Sequence, residues 1–125
     1  MFCVEQGVPE REELDGRDHE GIHLVAVALD ENGSGELLGT CRLVLVGRTV
    51  QFSRLAVKAS ARRQGIATAL LEAADEETRA AGGRRLVLHA QTYARPLYDR
   101  AGYVPRGSVF REAGIDHVAM EKELS

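Results

Sequence analysis

At 125 residues the chain can bury one core and is too short for two, so a single domain covering residues 1–125 is expected. A net charge of -3, with 28% charged and 44% hydrophobic residues, excludes a sequence-independent grip on nucleic acid, which needs a basic face. The apolar runs, such as LVAVAL, are too short for a membrane span, no secretory leader is legible, and two cysteines, Cys3 and Cys41, cannot build a disulfide framework or a zinc ribbon, so a reduced cytoplasmic protein is expected.

The first 20 residues are polar, turn-rich and crowded with charge. Residues 22–30 (IHLVAVALD) are β-branched and apolar enough for a strand, and ENGSGE is a turn. Residues 37–46 and 50–57 are two further strands around the tight turn GRT, so the three form an antiparallel meander. From Gln64 to Ala81 the period becomes helical: Ala67, Leu70, Leu71, Ala74, Thr78 and Ala81 make one stripe, while Glu72, Asp75, Glu76 and Arg79 face away. Gly82 and Gly83 end that helix. Residues 84–90 form a strand, ARPLYDRA a short helix with Pro96 in its first turn, and 103–110 and 116–124 two last strands joined by REAGI.

Two motif matches fail on context. His19, Glu20 and His23 spell HExxH, but that chemistry needs both histidines on one helix face. Gly21 and the following LVAVAL put His19 in a loop and His23 at a strand start, where residues i and i+4 do not adjoin, and no third ligand follows; no metal site is expected. The run GSGELLG looks like a nucleotide loop, yet it joins two strands and lacks a Lys-Ser/Thr ending. It is a hairpin.

The stretch LAVKASARRQGIATALLEAA ends a strand, passes through a basic loop and starts a long helix at a glycine. First-turn amides have no partner inside a helix and the macrodipole adds positive charge, which suits a phosphate or pyrophosphate. Arg62 and Arg63 add full charges, and Gly65 lets backbone approach an anion closely. An ordinary strand–helix turn with solvated arginines explains the same residues.

Arg62, Gly65 and Ala67 after LAV resemble the acetyl-CoA motif of the GNAT superfamily of N-acetyltransferases, and QTYARPLYDRAGYVP resembles its second cofactor segment. The resemblance covers nearly the whole chain, and VEQGVP, DGRD and REAGIDHVAM are similar to the ElaA-type branch. It implies an α/β (α+β) fold with a mixed, mostly antiparallel sheet flanked by helices, and acetyl-CoA as co-substrate. Backbone groups of Leu55, Ala56 and Val57 would pair with the pantetheine arm. Amides of Arg62, Arg63, Gln64, Gly65, Ile66, Ala67 and Thr68 would hold the pyrophosphate. Ala94 fits the pattern, Gln91 replaces a frequent asparagine, and Tyr98 would protonate the leaving thiolate, as a phenol of pKa about 10 is able to do. A half-buried core tyrosine is the plain alternative.

The resemblance also marks departures. The opening MFCVEQ matches the late part of the family's first helix, so the first strand is expected to be missing. The edge at 22–30 would then be covered by the charged segment 10–20 or by a second copy, a homodimer sealed by Met1, Phe2 and Val4. Strand 50–57 carries no carboxylate to serve as general base. Glu5, His89, Glu112 and His117 are candidates, with His89 in LVLHAQ expected more as a core histidine. Arg42 and Arg54 would bind a carboxylate or phosphate on the acceptor, or lie solvated, depending on hairpin register. The expected reaction is direct acetyl transfer to a primary amine of a small molecule or peptide; a non-catalytic acyl-CoA-binding module is the rival.

Overall fold

The computed structural model describes residues 2–7, 21–29 and 35–124. Seven strands form one sheet: β1 (Phe2–Gly7), β2 (Gly21–Leu29), β3 (Gly35–Val46), β4 (Thr49–Val57), β5 (Arg85–Gln91), β6 (Val104–Glu112) and β7 (Ile115–Glu123), in the order β1-β2-β3-β4-β5-β7-β6. Helix α1 (Ile66–Ala80) connects β4 to β5, and α2 (Arg95–Arg100) follows β5 after a 3-10 turn at Thr92–Ala94. Neighbouring strands are antiparallel except β4 and β5, which run parallel as their long helical crossover requires. The expected mixed, mostly antiparallel sheet is present.

The expectation of a missing first strand is overturned. Phe2–Gly7 is a strand, paired with β2 from Phe2↔Ala28 to Gly7↔His23. The reason is the alternation of FCVEQG: Phe2 and Val4 pack against the core while Cys3 and Glu5 are exposed. The N–H and C=O row on β2 is satisfied by this chain, which removes the ground for expecting a second copy there. Segment 10–20, with His19 and Glu20, and the turn at 30–34 lie outside the described residues.

Helix α1 buries Ile66, Leu70, Leu71, Ala74 and Thr78 against the sheet. Fully buried aliphatic side chains of this size contribute ~1.5–3 kcal/mol each, so this stripe anchors the crossover. Two expectations change. Ala81 is exposed beyond the helix end, and Asp75 turns inward, accepting a 2.5 Å charge-assisted bond from Lys122 of β7. Gly39 of β3 lies where an added Cβ would meet Ala56 O and Ile66 Cγ2 at 3.0 Å each, so α1 and β4 approach that strand closely. The last hairpin is tighter than expected, turning on Ala113 and Gly114 alone, both at positive φ (53° and 77°).

Candidate active site

Two irregularities in β4 make the site. The first is a bulge: the β3–β4 register passes from Thr40↔Ala56 to Arg42↔Ser53, so Arg54 and Leu55 together oppose Cys41. Arg54 takes φ 57°, the left-handed conformation a bulge residue adopts at a cost to any side chain. The second is a divergence. β4 pairs with β5 only through Thr49↔Arg85, Val50↔Leu86 and Gln51↔Val87. Beyond Gln51 the two strands separate, and among the described residues the β5-facing backbone edge of 52–57 has no strand partner.

The opening is a cleft of about 650 Å³. Leu55, Ala56 and Val57 line one wall, and Gln91, Ala94 and Tyr98 the other, so the structure gathers these expected residues from elements far apart in sequence. Arg62 and Ala67 stand at its end. From there a second hollow of about 310 Å³ continues over the start of α1, lined by Arg62, Arg63, Gly65, Ile66, Ala67 and Thr68.

That second hollow fits a pyrophosphate on structural grounds. Gly65 is the N-cap of α1 at φ 80°, with no side-chain cap bond and no acidic residue in the first turn. The first-turn amides are therefore left for an anion. An added Cβ at Gly65 would meet nothing within 4 Å, so the space a phosphate would take is open. Arg62 and Arg63 are exposed beside it. Gln64 is different: its side chain bonds Ser60 O at 3.4 Å and lines a separate hollow with Phe2 and Ala28, leaving only its backbone near the site.

Tyr98 is 8% exposed, on α2, with its ring edge-on to Tyr103 at 6.0 Å. Burial chiefly, then the neighbouring Tyr93 and Cys41, pushes its phenol up to about 12. The value of about 10 expected from sequence is corrected accordingly. Tyr98 is thus firmly protonated at neutral pH and a weaker acid than assumed.

The acceptor-side expectations divide. His117 and Arg54 line the cleft. Arg42 does not; it lies within β3 between His23 and Ser53. Glu5 is on β1, at the far edge of the sheet, and is not brought to the cleft. His89 is not a core residue: its side chain is 49% exposed and lines the cleft. Residues that sequence reasoning missed are Tyr93 and Leu97 in the cleft and Arg100 in the second hollow. Their segment, TYARPLYDR, was singled out for other members, and the basic residue closing its helix was the available signal.

Comparison with known proteins decides the family. A model of the acetyltransferase (GNAT) domain matches residues 4–124. The chain belongs to the GNAT family. A Bacillus subtilis relative, uncharacterized N-acetyltransferase YjcF, is 31% identical over 98% of this chain and 85% of its own. The Mycobacterium bovis UPF0039 protein Mb2876c is 37% identical over 96% of this chain and 76% of its own. Among solved structures, a Bacillus subtilis acetyltransferase in complex with CoA superposes with a TM-score of 0.78 at 20% identity, each chain covered completely (100%). This GNAT chain has, in its described residues, no helix long and apolar enough to cross a membrane.

Proposed function

We propose that this GNAT protein transfers an acetyl group from acetyl-CoA to a primary amine by direct attack within a ternary complex. The observation that carries the reading is the continuity of the β4–β5 opening with the uncapped start of α1. One end offers an unpaired strand edge, suited to an amide-bearing arm, and the other offers amides and arginines, suited to a pyrophosphate. Acetyl-CoA supplies the activated acyl thioester. Residues 55–57 present backbone along the thioester, where an amide beside the bulge would stabilise the developing oxyanion. Tyr98 donates a hydrogen bond to the departing sulfur from the opposite wall.

The rival, an acyl-CoA-binding module without catalysis, draws on the absence of an obvious base and on the short N-terminus. His89 of β5 and His117 of β7 in the same cleft weaken the first ground. A thiol-release assay with acetyl-CoA and a panel of ethanolamine, spermidine, lysine and a lysine-containing peptide separates the two. Amine-dependent thiol release is expected; tight CoA binding with no release on any amine would favour the module.

A further inference from the structure

Resting on the acetyl-transfer reading, we propose that His89 is the proton acceptor for the incoming amine and that Glu112 is the residue that positions it. The two are 23 positions apart and meet because β7 lies between their strands, pairing with β5 on one side and β6 on the other. His89 Nδ1 lies 3.3 Å from Glu112 Oε1. An ionised carboxylate only accepts, so Nδ1 carries the hydrogen of the neutral ring and Nε2 keeps its lone pair. Among the described residues Nε2 has no hydrogen-bond partner, and the ring borders the cleft.

The surroundings hold this pair in place. His117 donates Nδ1–H to Ile115 O at 2.8 Å, and its Nε2 faces the other oxygen of Glu112 at 3.7 Å. Nδ1 of that nearly buried ring is thereby committed and its Nε2 is turned toward a carboxylate, whereas the His89 ring is half exposed to the cleft, which makes His89 rather than His117 the accessible base. Phe110 sits edge-on to His89 at 5.1 Å and stacks over His117 at 5.9 Å, filling the space between the rings. The nearby Arg111 and Asp116 face each other at 3.5 Å, and Arg54 lines the cleft from β4.

The proton balance closes. A primary ammonium gives one proton to His89 Nε2, and the neutral nitrogen attacks the thioester carbon. As the C–N bond forms and the C–S bond breaks, the nitrogen loses a second proton, which reaches sulfur through the Tyr98 hydroxyl. The products are the amide and the thiol, and the imidazolium returns one proton to water.

The test uses the fastest acceptor of the amine panel, with hydroxylamine as a nucleophile already neutral at the assay pH. His89→Gln keeps a donor toward Glu112 and removes the base. It should lower kcat by about 10²–10⁴ with the basic amine, the usual loss for a general base, while CoA affinity by calorimetry stays unchanged. With hydroxylamine the deficit should largely disappear, and free imidazole should restore part of the rate of His89→Ala. Glu112→Gln should lower kcat more than it changes KM and should alter the His89 tautomer seen in imidazole nitrogen spectra, a readout that holds even where a His89 variant folds poorly. A wild-type rate in His89→Gln, or an equal loss with both nucleophiles, overturns the assignment and leaves acetyl transfer standing. Absence of thiol release by the unaltered protein with every amine overturns both.

Discussion

Tyr98 has a phenol pushed up to about 12, above the range of a thiol, so complete transfer of its proton to sulfur would run uphill. In the proposed reaction it would therefore donate a hydrogen bond to the leaving sulfur and pass a proton on as it regains one from the nitrogen. Burial, which raises the phenol, also fixes the ring against Tyr103. Tyr98→Phe keeps that packing and removes only the hydroxyl. The expected outcome is a kcat lower by about 10²–10⁴ with CoA affinity retained, measured by steady-state kinetics alongside calorimetric titration. A phenylalanine variant as fast as the parent would reduce Tyr98 to packing. In the unaltered protein, tyrosinate absorbance from this residue should not develop until the pH approaches 12.

The start of α1 and the bulge in β4 act as units. Gly65 combines φ 80° with open space beside it, so a side chain there is opposed both by the backbone and by any phosphate in the hollow. Gly65→Val should lose about 1–2 kcal/mol of folding stability from the left-handed conformation, seen in urea titration. It should also weaken CoA binding about tenfold or more, ~1.4 kcal/mol. Gly65→Asn, which tolerates that conformation better, should recover stability but not affinity; recovery of both would place the pyrophosphate elsewhere. The helix and its glycine were legible because a 3.6 period and a breaker are local signals. The bulge was not: Arg54 reads as one residue of an even strand, and its positive φ exists only because Cys41 faces two residues instead of one. The β1 strand was hidden for another reason, since resemblance assigned MFCVEQ to a helix although its alternation suits a strand. His89 with Glu112 was also out of reach, because the pairing depends on β7 inserting between β5 and β6, which no local pattern records.

At the scale of the whole molecule, β1 to β4 form one plate and β5, β7 and β6 another, joined by three residue pairs and by α1 packed across β2, β3, β4 and β5. An arm bound in the opening would bridge the plates, so CoA should slow amide exchange on both walls at once, along residues 52–57 and 88–91. At a ligand concentration of 100 times Kd it should add ~2.7 kcal/mol to unfolding stability, visible as a raised melting temperature. Slowing confined to one wall would mean that the arm lies along a single plate. Because the three-pair junction is the shortest strand contact in the sheet, a load applied across the strands would open the molecule there first. On the proposed function, the line that admits the substrate would also be the molecule's line of least tensile strength, and a bound thioester would work as a rivet that each turnover removes and replaces.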